Sequence, residues 1–211
     1  NPPHDFRFGT VGPTIDGVEI KIADDGEILS RGPHIMHGYY KDDAGTRESI
    51  NAEGWFHTGD IGVIDDGYLR ITDRKKNIIV TAGGKNIAPA PIEGKLIMNK
   101  YFEQALVHGD RRKFVSAILV PNFTEVIAWA SVNGISETNP EALCENPKIY
   151  EMLKSEVLDV MQNFSSYEAV KEFILVPREF SVEDGTLTPT LKIKKRVVEE
   201  RYKDKLNALY E

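Results

Sequence analysis

The sequence predicts an α+β protein: a small β-barrel-like part, followed by a part in which a small sheet is flanked by helices. Three observations carry that reading. Short alternating runs with Gly-containing turns at about ten-residue spacing fill the first third of the chain. Apolar residues at helical spacing dominate the rest. Between them lies Tyr68–Pro91, YLRITDRKKNIIVTAGGKNIAPAP, where a strand breaks into the polar run Asp73-Arg74-Lys75-Lys76-Asn77 and resumes as IIVT. A charged junction between two good strands suits a hinge between two bodies better than the inside of one sheet.

In order, Val18–Ile22 (VEIKI) alternates, Asp24-Asp25-Gly26 turns the chain, and Glu27–Ser30 returns as the second arm of a hairpin. Asp65-Asp66-Gly67 repeats that turn chemistry ahead of the strand Tyr68–Thr72. Residues 1–72 thus read as all-β, a part so short that it leans on a neighbour for stability. Beyond Asn77 come a strand at Ile78–Thr81, a short helix at Ile92–Met98 started by Pro89 and Pro91, and strands at Gln104–His108 and Ser116–Val120. Thr124 is the expected N-cap of a helix reaching Val132, and Gly134 its stop. A longer helix spans Pro147–Asn163, with Ile149, Leu153, Val157, Val160, Met161 and Phe164 on one stripe. A strand at Phe173–Val176 and one final amphipathic helix from Lys194 to Tyr210 complete the chain.

Composition is that of a soluble globular protein: 211 residues, 41% hydrophobic and 28% charged. The formal charge of −7 argues against nucleic acid as a general partner. All of that excess lies in residues 1–72, which hold 13 acidic and 6 basic side chains, and residues 73–211 are balanced. The change coincides with the charged junction. A single cysteine, Cys144, rules out an internal disulfide and fits a reducing, cytoplasmic setting. No apolar run approaches the roughly 18 residues of a membrane helix, so no anchor is expected here. The opening NPPHDF lacks an initiating Met, which suggests a piece of something longer.

Several side chains could carry chemistry. In Gly54–Asp60, GWFHTGD, Asp60 follows a glycine in an aromatic-flanked stretch, and its carboxylate could accept two hydrogen bonds from a vicinal diol such as that of a ribose. A turn aspartate that caps its own backbone has the same local sequence. Arg74, Lys75 and Lys76 could serve nucleotide hydroxyls or phosphates, or form a solvated face. Gly83-Gly84 would let backbone pass close to a ligand, or simply close a hairpin. Lys192 stands in an extended segment after the turn Glu183-Asp184-Gly185, where its point charge suits a phosphate or carboxylate, or solvent. His34 and His37 flank Ile35-Met36 without further ligands, so no metal site is expected. Cys144 has no histidine placed to activate it and reads as packing. Neither GxxxxGK[ST] nor GxGxxG occurs, so the chain has no phosphate loop of its own.

Four motifs arrive together: Gly26–Tyr40 (GEILSRGPHIMHGYY), GWFHTGD, Gly67–Glu93, and Gly185–Arg196 (GTLTPTLKIKKR). In order and spacing they resemble the C-terminal third of the adenylate-forming enzymes, most like long-chain fatty acyl-CoA synthetases, over nearly the whole chain. The resemblance implies the acyl-CoA synthetase fold, with residues 1–75 as the last β-subdomain of a large N-terminal domain and 76–211 as a mobile C-terminal domain. It implies that Asp60 and Arg74 bind the ribose of ATP and acyl-AMP, that Lys76 is the hinge, and that Gly83 and Gly84 form the loop facing the coenzyme A pantetheine. Lys192 would bridge the substrate carboxylate and α-phosphate.

The implied reaction has two halves. ATP and a fatty acid give acyl-AMP and pyrophosphate, then coenzyme A displaces AMP, with everything after Lys76 rotating between the halves. The family's phosphate loop, its Mg²⁺ and adenine segment and its acyl tunnel are expected upstream of Asn1, so the chain alone is expected to be inactive. Where acetate-type members carry glycine before the lysine, this sequence has Leu191. An acyl-AMP ligase that passes the acyl group to a carrier protein keeps the same motifs. A third reading is a non-catalytic interaction module. The directness of Gly83-Gly84-Lys85-Asn86, without an inserted segment, favours coenzyme A, and the joint presence of Asp60, Arg74 and Lys192 favours an enzyme. Peripheral membrane association would suit an enzyme with lipid substrates.

Overall fold

A computed structural model describes residues 5–211. The chain folds as two compact units that divide in sequence between Ile78 and Ile79. Both combine sheets with helices, so the α+β class holds.

The first unit is built on an antiparallel sheet of five strands: β1 (Gly12–Pro13), β2 (Glu19–Ile22), β3 (Glu27–Arg31), β4 (Phe56–Asp65) and β5 (Tyr68–Arg74), in the order β1-β5-β4-β3-β2. The sheet is open, with β1 and β2 at its edges, so the barrel-like expectation gives way to an open five-stranded sheet. The predicted hairpins are present. Glu19 pairs with Arg31 and Ile22 with Ile28 across the Asp24-Asp25-Gly26 turn. Asp65 pairs with Tyr68 across Asp66-Gly67, both at positive φ (50° and 81°), the two-residue turn whose twist matches its strands. The unit's buried hydrophobic side chains among the described residues are few: Ile28, Leu29, Trp55 and Leu69. The Trp55 ring also carries the Lys21 ammonium at 4.2 Å and the Arg31 guanidinium at 4.5 Å.

One helix, α1 (Asp43–Ser49), interrupts the stretch expected to be all-β. It buries none of its residues and contains Gly45 and Thr46, so no apolar stripe betrays it. Its one readable sign is the cap, where the Asp42 carboxylate accepts the Gly45 N–H at 2.8 Å.

The second unit has a three-stranded sheet of β8 (Phe102–His108), β9 (Val115–Pro121) and β10 (Val170–Leu175), and a short ribbon of β6 (Ile79–Val80) and β7 (Asn86–Ile87). β9 runs antiparallel to β8 and parallel to β10. A parallel pair requires a crossover, here α3 (Phe123–Val132), α4 (Pro140–Glu145) and α5 (Pro147–Met161). Each of the three opens on an asparagine cap (Asn122, Asn139 and Asn146) whose side-chain oxygen accepts a first-turn N–H. Asn122, not Thr124, therefore starts α3. The unexpected α4 also shows its proline at the first helical position. The terminal helix is broken at Tyr202 into α6 (Lys195–Arg201) and α7 (Lys203–Ala208).

Every residue of β9 is buried, as in a strand covered on both faces. Alternation along it separates two cores. Val115, Ala117 and Leu119 face the first, with Ile79 and Ile87 of the ribbon, Ile92 and Leu96 of α2 (Pro89–Ile97), and the α5 stripe Ile149, Leu153, Val157 and Met161. Ile118 and Val120 face the second, with Leu187, Val198, Leu206 and the half-buried Ile193.

Candidate active-site residues

Asp60 and Arg74 are direct cross-strand partners in the β4–β5 register. Arg74 Nε lies 2.8 Å from Asp60 Oδ1. The pair is only partly shielded, with 59% of the arginine and 26% of the aspartate side chain exposed. Such an exposed pair contributes at most about 1 kcal/mol to folding, so its geometry is free to serve a ligand. The Asp60 N–H is donated to Thr58 Oγ1 at 3.1 Å, and the Thr58 hydroxyl to the Ile28 carbonyl at 2.7 Å. These bonds tie this part of β4 to β3.

Behind that pair lies Glu27, one of the few charged side chains that are buried, at 3% exposure. Its Oε1 accepts the Gly59 N–H at 2.9 Å, and its Oε2 accepts from His57 Nδ1 at 2.8 Å and Lys75 Nζ at 2.9 Å. Lys75 Nζ also lies 2.7 Å from Asp25 Oδ2. Burial pushes the Glu27 carboxyl up, but the three donors outweigh it and leave the group below the usual carboxylate range. The hydrogen bond from Lys75 holds Asp25 low as well, and Asp25 and Glu27 together raise Lys75. Sequence reasoning passed over Glu27 and named Lys75 without setting it apart from Arg74 and Lys76. The first looks like a solvent-facing strand residue beside a turn, the second like one of three interchangeable cations.

Lys76 sits exposed in the single 3₁₀ turn Lys75–Asn77 that ends the first unit. Gly83 and Gly84 close the β6–β7 ribbon in the second unit. The Gly84 N–H bonds the Thr81 carbonyl at 2.9 Å and the Lys85 N–H bonds Thr81 Oγ1 at 3.2 Å. Gly84 adopts φ +74°, a conformation that side chains resist, and a Cβ there would meet no heavy atom within 4 Å. The turn is thus open on its outer side and held from below by Ile79 and Ile87, both fully buried.

Lys192 closes a second hairpin. The Thr188 N–H bonds the Lys192 carbonyl at 2.8 Å, the Leu191 N–H bonds the Thr188 carbonyl at 2.8 Å, and the Lys192 N–H returns to Thr188 Oγ1 at 3.1 Å. Leu187 and Ile193 bridge at its base. Below them Asp184 accepts the Thr186 N–H at 2.9 Å, the Thr186 hydroxyl, and an ion pair from Arg201 of α6. These donors, the Thr186 hydroxyl foremost, hold the Asp184 carboxyl well below the usual range. The Lys192 side chain is exposed and its ammonium has no acidic partner among the described residues.

Leu191, immediately before it, adopts φ +60° with 71% of its surface exposed. A left-handed conformation costs a non-glycine residue about 1–2 kcal/mol, of which glycine's extra chain entropy would return about half. Leu191→Gly is therefore expected to stabilise the protein by about 0.5–1 kcal/mol, read as a rise in thermal midpoint. A fall in midpoint would show that the leucine side chain makes a needed contact.

The remaining candidates stay out of the chemistry. His34 Nε2 lies 2.9 Å from Ser30 Oγ, a local contact. Cys144 packs against the first core, and burial pushes its thiol up to about 12, which leaves it uncharged and unreactive near neutral pH. A surface groove of about 620 Å³ between α3 and α5, lined by Trp129 and Met152, includes none of the residues above. No helix among the described residues is long and apolar enough to cross a membrane.

Residues 76–211 match the family model of the AMP-binding enzyme C-terminal domain. The long-chain-fatty-acid–CoA ligase FadD15 of Mycobacterium tuberculosis is 37% identical over 209 residues, covering 98% of this chain and 35% of that protein. The long-chain-fatty-acid–CoA ligase 6 of Rattus norvegicus is also 37% identical, over 99% of this chain and 32% of its own length. The chain thus spans about a third of the length of the curated relatives it matches. Among solved structures, the A domain of carboxylic acid reductase from Segniliparus rugosus, in complex with AMP and a co-purified carboxylic acid, superposes with a TM-score of 0.72. That match covers 94% of this chain and 32% of the other at 22% identity. O-succinylbenzoate coenzyme A synthetase from Bacillus subtilis, in complex with AMP, gives 0.62 over 90% and 35% at 24% identity. These two likenesses carry the fold, that of adenylate-forming enzyme domains, and the family match carries the assignment. The chain belongs to the AMP-binding enzyme C-terminal domain family and is related to long-chain fatty acid–CoA ligases.

Proposed function

We propose that this chain is the C-terminal part of a cytoplasmic long-chain fatty acid–CoA ligase, which activates a fatty acid with ATP to acyl-AMP and then transfers the acyl group to coenzyme A. In this reading residues 1–75 belong with a larger N-terminal domain and residues 76–211 move as a body about Lys76. Asp60 and Arg74 hold the ribose, Lys192 stabilises the negative charge that develops as carboxylate oxygen attacks the α-phosphate, and Gly83-Gly84 face the incoming thiol. The ligands for Mg²⁺ and the acyl tunnel lie outside this chain.

The observation that carries the reading is the division of the second unit by its sheet. The Gly83-Gly84 hairpin is rooted in the first core through Ile79 and Ile87, and the Lys192 hairpin in the second through Leu187 and Ile193. Two loops rooted on opposite faces of one rigid sheet are poorly placed to serve one reacting centre together. A unit that turns between two orientations can offer them in succession.

The test is a reconstituted full-length enzyme given ATP, coenzyme A and palmitate, with acyl-CoA and AMP as the expected products and the 211-residue chain alone showing no turnover. Turnover by the chain alone would overturn the division of labour, and acyl transfer to a carrier protein but not to coenzyme A would favour an acyl-AMP ligase. Lys76→Pro probes the pivot. Proline fixes its own φ and restricts Lys75 before it, so one half-reaction is expected to fall at least about tenfold more than the other. Equal loss in both halves would remove Lys76 from the hinge.

A further inference from the structure

The Asp60–Arg74 pair is held from behind at both ends, one residue away in each case. Gly59, just before Asp60, and Lys75, just after Arg74, both donate to the Glu27 carboxylate, at 2.9 Å each. His57 supplies the third donor and Asp25 the second acceptor for Lys75. A carboxylate buried to 3% exposure is costly to keep unless its oxygens are satisfied. Here all three donors come from the two segments that carry the pair. Of the cations in the Arg74-Lys75-Lys76 run, only Lys75 pairs with these acids. Lys75 thus pins the chain immediately ahead of Lys76.

Building on the ligase reading, we infer that Glu27 is a positioning residue: with Lys75 it sets the spacing of Asp60 and Arg74 for a vicinal diol. Glu27 itself does not touch the nucleotide. It fixes the Thr58-Gly59-Asp60 backbone and the end of β5 relative to each other, so that the Asp60 carboxylate and the Arg74 guanidinium arrive already oriented. Preorganisation of this kind appears in ligand recognition more than in global stability. The Asp25–Lys75–Glu27 cluster also ends any rotation at Lys75, leaving residues 1–75 as a fixed frame.

The experiment uses the full-length ligase and compares ATP with 2′-deoxy-ATP as substrates for acyl-adenylate formation. The wild type is expected to favour ATP by about 10-fold or more, because a charged partner left without its hydroxyl is penalised. In Glu27→Gln and Lys75→Met that preference is expected to shrink to within about threefold. KM for ATP should rise about tenfold while KM for fatty acid and coenzyme A stays within about twofold. Lys75→Arg, which keeps the charge, should restore most of the preference. Should Glu27→Gln fold poorly, Lys75→Met carries the test, since 46% of that side chain is exposed. An unchanged ATP preference in Lys75→Met, or an equal rise in all three KM values, would overturn the positioning role and leave a purely structural cluster. Failure of the wild type to form acyl-adenylate at all would instead overturn the ligase reading.

Discussion

Lys192→Ala in the proposed full-length ligase is expected to slow acyl-adenylate formation by about 10²–10³-fold, the loss seen when one preorganised donor to a developing charge is removed. Thioester formation from supplied acyl-adenylate should change by less than about threefold, because in the proposed mechanism that half-reaction makes no use of the lysine. The structural basis is the hairpin, which commits every backbone hydrogen bond from Thr188 to Lys192 to holding the turn. The Lys192 side chain is exposed, and its ammonium has no acidic partner among the described residues. A point charge with no acidic partner among the described residues breaks no ion pair when it exchanges its hydration for an anionic substrate. Pyrophosphate exchange and acyl-adenylate consumption, measured separately, distinguish the halves. Parallel loss in both would sink the assignment of Lys192 to adenylation.

Phe173→Ala is expected to destabilise the second unit by about 3–5 kcal/mol. Phe173 is 2% exposed in β10, and its ring stacks on Tyr150 of α5 at 4.7 Å between centroids and 21° between planes. It joins the strand to the helix that leads back toward it, and removing the ring leaves a cavity between two elements that neither can fill alone. With a urea slope of about 2 kcal/mol per molar, the midpoint should fall by about 2 M. A fall of less than about 0.5 M would mean that the first core collapses around the site.

Much of this was legible in the residues. The strand–turn–strand units of the first part were readable because Asp-Gly turns set their register. α5 was readable because its stripe holds to helical spacing from Ile149 to Met161. Helices without a stripe were not: α1 buries nothing, and α4 is one turn and a half announced only by Asn139-Pro140. The two-way split of the last helix at Tyr202 has no proline or glycine to mark it. For the proposed site, the motifs named Asp60, Arg74, Lys76, Gly83, Gly84 and Lys192. They could not name Glu27, because burial of a single carboxylate depends on which donors the fold brings to it. The positive φ of Leu191 was equally hidden, since leucine is a poor advertisement for a left-handed turn.

The parallel pairing of β9 with β10 has a bearing on the order in which the chain acquires its parts. β8 and β9 meet across a short connection and can zip as soon as both are made, whereas β10 finds its place only after all three crossover helices have been laid down. Closing so long a loop delays that contact relative to local ones. Ile174 and Val176 of the β10 segment form part of the floor beneath Leu187 and Ile193. The hairpin bearing Lys192 is therefore seated only once that late step is complete. Val170, Phe173 and Leu175 complete the first core beneath the glycine turn in the same step, so both loops gain their foundations together, after the crossover has closed.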